Sequence, residues 1–316
     1  MKGLNNPIGI KSLEPNKSPF IMNPYRFSGG VAPFRGVMVG GNDGAKSDVM
    51  DYITIATLGN STDFGDRTIA SDAMHEGVNS DTRGVFGGAF PSGNSNVIDY
   101  ITIATPSNAT DFGDLLAATR AKCGMTNQTR GCFAGGYSTL IENNISYITI
   151  ATPGNATDFG DLITATYAGR GTNSDTRGIH GGVHTAGSEI SYITIASTGN
   201  ATDFGDFIAI GGDQPAGAVN NDVRACYAGG AGNDNTIEYI TMATPSNSTD
   251  FGDLTAGAND GTMGTNDLTR GCFGGGTRTS LSDIIDYITI ASTGNATDFG
   301  DLAAARANGS CCQDGL

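Results

Sequence analysis

Short segments in which apolar and polar residues alternate recur along the chain and predict β-strands. The clearest is the string YIT[IM]A[TS]. In its first copy, Ile53 and Ile55 point to one side of the strand, while Tyr52 and Thr54 point to the other. With apolar groups on both sides, each such strand is expected to be covered on both faces, as when sheets stack on sheets. The six copies lie 45 to 48 residues apart and begin at Tyr52, Tyr100, Tyr147, Tyr192, Tyr239 and Tyr287.

Two further landmarks repeat with the same period. An arginine opens a glycine-ended segment such as RGCFAGG, at Arg35, Arg83, Arg130, Arg177, Arg224 and Arg270. A TDFGD motif follows each tyrosine string, with its first acid at Asp63, Asp111, Asp158, Asp203, Asp250 and Asp298. Each unit therefore predicts four strands. The first crosses a variable stretch, the second starts at the arginine, the third is the tyrosine string and the fourth contains DFGD.

Six copies of a four-stranded unit of this length predict an all-β fold, a six-bladed β-propeller. The first copy lacks its opening strand, and the segment after the last DFGD, LAAARANGSCC, can supply it. We therefore expect the N- and C-terminal strands to pair in one blade and close the ring, which removes exposed sheet edges. The expected organisation is an N-terminal anchoring arm at 1–33 and the propeller at 34–316.

Composition narrows the function classes. The chain has 48 glycines among 316 residues, which suits many tight turns. Its formal net charge of −15 disfavours nucleic acid as a partner. No apolar run approaches the roughly 20 residues of a membrane span, so membrane insertion is not expected. The six cysteines form no CxxC pair, and Cys132, Cys226 and Cys272 occupy a repeat position held elsewhere by Val or Ile, which predicts small buried side chains.

The repeat resembles the kelch motif in its glycine-ended strand, the tyrosine strand and the later aromatic residue. It departs from kelch in having Phe64 and its five equivalents where kelch usually has Trp. The wording YITIATPGNATDFGDL at 147–162 is more specifically similar to the repetitive propeller proteins of marine tailed bacteriophages, including cyanophages. That resemblance covers 34–316 and implies a virion component, of the tail or its fibres.

The repeated aspartates and arginines allow several interpretations. The DFGD aspartates are expected to cap turns. Calcium is the alternative, because it takes six to eight oxygen ligands, but the loops lack a DxDxDG run, so no cofactor is predicted. For the six arginines we expect pairing with these aspartates, within or between blades, since a guanidinium matches a carboxylate.

The sequence contains no GxSxG, HExxH or P-loop motif, and no enzymatic activity is predicted. The divergent loops are the expected contact surfaces. They comprise 90–96, 137–144, 184–188, 211–221, 230–235 and 277–282. In the arm, Phe20, Ile21, Tyr25 and Phe27 are expected to bind a neighbouring protein, since a disordered tail seldom carries so many aromatic residues.

The sequence thus predicts a non-enzymatic structural or binding protein of a tailed-phage virion, in the tail, fibre, neck or capsid surface. Other virion proteins are the expected partners through the arm, and a host-surface glycan or protein through the propeller loops. Several copies per particle are expected. The alternative is a glycan-binding lectin or adhesin in which each blade contributes a shallow site.

Overall fold

The computed structural model describes residues 34–72, 76–184, 187–210, 215–259 and 261–314. In these residues, 24 strands form six four-stranded antiparallel sheets and no helix occurs, so none could cross a membrane. The sheets are the blades of a six-bladed β-propeller, as predicted. The arm residues Phe20, Ile21, Tyr25 and Phe27 lie outside the described residues.

The strands are numbered along the chain and each blade is given from its innermost to its outermost strand. Blade 1 comprises β24 (Ser310–Gln313), β1 (Arg35–Asn42), β2 (Lys46–Thr54) and β3 (Thr62–Ser71). Blade 2 comprises β4 (Val78–Asn79), β5 (Arg83–Ala89), β6 (Ser95–Thr102) and β7 (Thr110–Thr119). Blade 3 comprises β8 (Cys123–Thr126), β9 (Arg130–Ala134), β10 (Asn144–Thr149) and β11 (Thr157–Asp161).

The other three blades follow the same order. Blade 4 comprises β12 (Arg170–Asn173), β13 (Arg177–Val183), β14 (Gly187–Thr194) and β15 (Thr202–Asp206). Blade 5 comprises β16 (Gly217–Asn220), β17 (Arg224–Ala228), β18 (Thr236–Thr241) and β19 (Thr249–Asp253). Blade 6 comprises β20 (Met263–Asn266), β21 (Arg270–Gly274), β22 (Ile284–Thr289) and β23 (Thr297–Asp301).

Strand β24 from the C-terminal end of the chain closes the ring. It pairs antiparallel with β1, placing Cys312 opposite Val37 and Ser310 opposite Val39. It therefore supplies the innermost strand of blade 1, as the missing first strand of that repeat predicts. The pairing satisfies backbone groups that would otherwise lie at a sheet edge.

Each hydrophobic cluster spans two neighbouring blades. In one of them, Val85 and Phe112 of blade 2 pack with Phe133 and Ile148 of blade 3, all 0 to 3% exposed. This burial confirms the stacking of sheets on sheets. The repeated cysteines are buried in these clusters, as expected. Burial raises the pKa of Cys132 to about 12, so its thiol stays protonated near neutral pH.

The antiparallel order gives the ring two faces of different character. The face that we call the repeat face carries the loops between the first and second strands and those between the third and fourth strands. The variable face carries the loops between the second and third strands and the crossovers to the next blade. Five of the six divergent loops identified in the sequence lie between the second and third strands, on the variable face, within the described residues. The sixth, 211–221, includes part of the crossover to blade 5, strand β16 and Asn221 of a repeat-face loop.

Candidate functional surfaces

The turn before each TDFGD motif joins its blade to the preceding one. In the contact between blades 2 and 3, Asn155 Oδ1 accepts a hydrogen bond of 3.1 Å from the Asp114 N–H. The Ala156 N–H donates to the Asp114 carbonyl at 2.8 Å. The same asparagine contact recurs around the ring through Asn60, Asn108, Asn200, Asn247 and Asn295. This asparagine therefore belongs to an inter-blade joint.

The glycine of DFGD makes this joint possible. Gly113 has a φ of +147°, which L-residues rarely adopt. A Cβ atom on it would lie 2.5 Å from the Gly154 carbonyl oxygen of the next blade. The other five glycines have φ between +135° and +147° and meet the next blade's backbone equally closely. Glycine is thus required by both backbone conformation and close approach.

The six repeated arginines also connect neighbouring blades, but through a different partner from the one expected. The Arg130 Nη1 donates to the Ile195 carbonyl of blade 4 at 2.8 Å, and its guanidinium lies 4.3 Å from the Tyr147 ring centroid. The other five arginines make the equivalent bonds at 2.7 to 3.3 Å. The predicted pairing with the DFGD aspartates is wrong for the described residues. Each arginine contacts a carbonyl oxygen and a tyrosine ring.

The first aspartate of each TDFGD motif does not cap a turn as expected. It lies within the outermost strand and is exposed in all six blades, at Asp63, Asp111, Asp158, Asp203, Asp250 and Asp298. Within the described residues, no group of three or more His, Cys, Asp or Glu side chains could hold a metal ion. The six acids instead place a negative charge at regular intervals around the rim.

A buried acid precedes the tyrosine string in four blades, and the sequence analysis missed it. In blade 2, Asp99 is 0% exposed and accepts a 2.8 Å hydrogen bond from Arg67 Nη2 and another from Thr68 Oγ1. Both donors belong to β3, the outermost strand of blade 1. In blade 5, Glu238 accepts hydrogen bonds from backbone N–H groups of Ile208, Ala209 and Ile210 at 2.9 to 3.2 Å. The buried acid therefore fixes the crossover from the preceding blade.

In blades 1 and 6 the buried acid pairs with another arginine. Arg306 lies on the crossover from blade 6 to blade 1, whereas Arg278 lies in the loop between β21 and β22 of blade 6. There, Thr255 Oγ1 of the crossover from blade 5 also donates to Asp286 at 2.5 Å. Asp51 lies 3.0 Å from Arg306 Nη2, and Asp286 lies 2.9 Å from Arg278 Nη2. Burial raises the pKa of Asp51, while Arg306 opposes that shift. Burial also lowers the pKa of Arg306, while Asp51 opposes the shift. In blades 3 and 4 the position is Ser146 and Ser191, and neither hydroxyl has a hydrogen-bond partner.

In the described part of the chain, the innermost strands bring one carboxylate, that of Glu76, close to the propeller axis. Glu76 precedes β4 and accepts a hydrogen bond from the Gly171 N–H of blade 4. Burial raises the pKa of Glu76 to about 7, while Arg170 acts in the opposite direction. Arg170 is 2% exposed and donates through Nη2 to the Ala216 carbonyl at 2.6 Å.

A cavity of about 30 Å³ lies next to Glu76 and is lined mainly by glycines, amide side chains and Cys311. The amides also join neighbouring blades, because Asn220 Nδ2 donates to the Asn173 carbonyl at 2.7 Å. The cavity has the volume of about one water molecule. It is therefore too small to hold a substrate.

Larger surface clefts lie away from the axis. Two occupy equivalent blade boundaries on the repeat face, with volumes of about 410 Å³ between blades 2 and 3 and about 370 Å³ between blades 4 and 5. Another of about 400 Å³ lies on the variable face beside Arg278 and Leu281. The variable face also carries Leu140, which is 75% exposed. These clefts and loops are the surfaces available for binding.

No protein-family model and no curated protein matches the chain. The class that the fold defines is the six-bladed β-propeller. The kelch-like and phage resemblance remains a hypothesis based on the repeated motifs.

Proposed function

We propose that the protein is a non-enzymatic structural and binding component of a tailed-phage virion. The observation that carries this proposal is that the repeated residues make contacts between neighbouring blades. Arg130, Gly113 and Asn155, with their equivalents, join neighbouring blades into a ring. The loops between the second and third strands, on the variable face, take no part in these three contacts. They can change in length without altering them, as a binding scaffold requires.

The proposed partners follow from the difference between the repeated residues, which join the blades, and the variable loops, which are open to binding. The variable face binds a neighbouring virion protein or a molecule of the host surface, and the arm at 1–33 attaches the propeller to another virion subunit. The sequence at 147–162 supports the virion assignment, because it resembles the repeats of phage propellers. The net charge of −15 favours a basic or neutral partner over nucleic acid.

Quantitative mass spectrometry of purified particles of the source virus tests the virion assignment. We expect the chain in a small multiple of three or six copies per particle for a tail or neck location. Hundreds of copies would identify a capsid decoration instead. Complete absence from the particles would contradict the virion assignment and leave a cellular or secreted binding protein.

A glycan-binding lectin or adhesin is the second candidate, and the two equivalent clefts of the repeat face favour it. An enzyme requires a recess in which unlike functional groups converge. Glu76 and Arg170 are unlike the residues at the same position of other repeats, but both are buried, and the cavity that Glu76 lines has a volume of only about 30 Å³. Their hydrogen bonds to backbone groups of other blades support a role in holding the ring together.

A further inference from the structure

The two clefts on the repeat face are built from the same four-residue segment. Ser80, Asp81, Thr82 and Arg83 line the cleft between blades 2 and 3. The identical sequence at 174–177 lines the cleft between blades 4 and 5. Across each boundary, the next blade contributes the other wall, which includes an alanine at equivalent positions. One sequence therefore produces the same recess at two places that are two blades apart.

A serine at the start of this segment lines each cleft, and it is shorter than the residue at the same position of the other blades. In blade 4, Ser174 Oγ accepts a hydrogen bond from the Arg177 N–H at 3.2 Å and so caps the three-residue loop. In blades 3 and 5 the capping residue is Asn127 or Asn221, whose Oδ1 makes the equivalent bond at 2.8 Å. Asparagine carries two more heavy atoms than serine. Its presence in the sister blades shows that the backbone accepts either residue.

The groups lining the clefts suit a ligand rich in hydroxyl groups. Each cleft has an aspartate, two hydroxyl side chains and an arginine, which together provide both donors and acceptors. In the first cleft, Gln128 Nε2 donates to Asp81 Oδ1 at 2.8 Å, which orients the carboxylate. In the second cleft, Asp222 takes the place of this glutamine.

The character of the lining excludes other ligand classes. The carboxylates and the net charge of −15 disfavour anionic ligands, including acidic sugars. The lack of a large apolar wall disfavours a hydrophobic ligand. Volumes of about 370 and 410 Å³ are in the range of small-molecule sites.

We propose that these two clefts are equivalent subsites for neutral hexose units of a surface polysaccharide. The inference deepens the glycan-binding candidate function proposed above, which these same clefts favour, and rests on it for its biological meaning. Two subsites on one rigid ring allow a polysaccharide to bind at both places, which strengthens weak individual contacts through effective concentration. A single subsite of this polarity is expected to bind only weakly.

The test uses the full-length chain and ligand-observed NMR with the methyl glycosides of glucose, galactose and mannose at millimolar concentration. The main variant is Ser80→Asn with Ser174→Asn, which places the longer cap native to blades 3 and 5 in the lining of both clefts. We expect at least one glycoside to bind the wild-type chain and roughly tenfold weaker binding, or none, to this variant. Melting temperature confirms that the variant is folded.

A second variant, Asp81→Asn with Asp175→Asn, leaves the clefts open and removes the carboxylate that the repeated segment contributes to each, while Asp222 remains in the second cleft. It should also weaken binding. Asp158→Asn is the matched control, because it removes one exposed charge from an outermost strand and lines neither cleft, and it should bind like the wild type. Failure of all three glycosides to bind would overturn the inference, as would unchanged binding by the serine variant. Detection in virus particles is independent of this result, so the subsite inference and the virion assignment can fail separately.

Discussion

The two faces of the ring differ in how much the lengths of their loops vary from blade to blade. On the repeat face, the described loops between the first and second strands all have three residues, and the turns between the third and fourth strands all have seven. On the variable face, the loops between the second and third strands range from three to nine residues. Constant length accompanies contacts to a neighbouring blade, such as those of Arg130 and Asn155.

This difference explains why repetition alone does not identify a functional residue. The residues repeated in all six blades are mostly engaged in joining them. The residues that occur once, such as Arg67 and Arg306, neutralise buried acids where crossovers meet the next blade. The two repeat-face clefts are lined by residues of a third kind, such as Ser80 and Ser174, which stand where the other blades have longer caps.

The largest effect is expected from breaking a buried ion pair beside a crossover of the variable face. Asp99→Ala leaves Arg67 buried without its carboxylate partner, which should lower the free energy of unfolding by about 3 to 5 kcal/mol. Chemical denaturation measures the loss. The paired variant Arg67→Met with Asp99→Leu removes both charges and should recover much of it. Equal stability of Asp99→Ala and the wild type would contradict the role of this pair.

Replacing the joint glycine tests the repeat face. Gly113→Ala forces a Cβ against the Gly154 carbonyl at a φ of +147°, and should cost roughly 3 kcal/mol from strain and overpacking. Gly154→Ala is the matched control on the other side of the same contact, because its Cβ would meet nothing within 4 Å. We expect the control to stay within about 0.5 kcal/mol of the wild type in denaturation. Similar losses in both variants would refute the close-approach argument.

The axial carboxylate should make stability depend on pH. The pKa of Glu76 rises from an ordinary value of 4.5 to about 7 in the folded chain, so the folded state binds the proton more tightly than the unfolded state. Its contribution is fully present below pH 4.5 and is lost as pH rises through about 7. The loss is on the order of 3 kcal/mol.

Denaturation of the wild type and Glu76→Gln between pH 4 and 8 measures this contribution. The variant has no titrating carboxyl at this position, so the difference in unfolding free energy between the two proteins should change across that range. A difference that is constant with pH would show that Glu76 is not responsible.

The smallest effect among these variants is expected from one of the repeated arginines. Arg130→Leu loses the hydrogen bond to the Ile195 carbonyl and the contact with Tyr147, and should cost about 1.5 to 3 kcal/mol. Asp158→Asn should leave stability unchanged, since Asp158 is exposed and does not pair with the arginine. Thermal melting of the two single variants and the double variant would reveal any coupling. Strong coupling would restore the arginine–aspartate pairing expected from the sequence.

The sequence predicted the propeller, its six blades and its closure because those features follow from spacing and strand pattern. It did not predict the partner of Arg130, because a backbone carbonyl has no sequence signature. It also missed Asp99 and Glu238. The position before the tyrosine varies among Asp, Glu and Ser, which resembles a solvent-exposed site until the blades are assembled. The serine-capped clefts depend on a wall from the next blade, which no single repeat contains.

Closure of the ring has a consequence for how the gene could be rearranged. The Asp314 N–H donates to the Arg35 carbonyl at 3.2 Å, so the two ends of the described ring meet where other blades have a three-residue loop. A short linker between these ends and a new start within 127–129 would move the break from blade 1 to blade 3. Such a circular permutant should keep all 24 strands, because the place where the polypeptide is cut is independent of the geometry that holds the blades together.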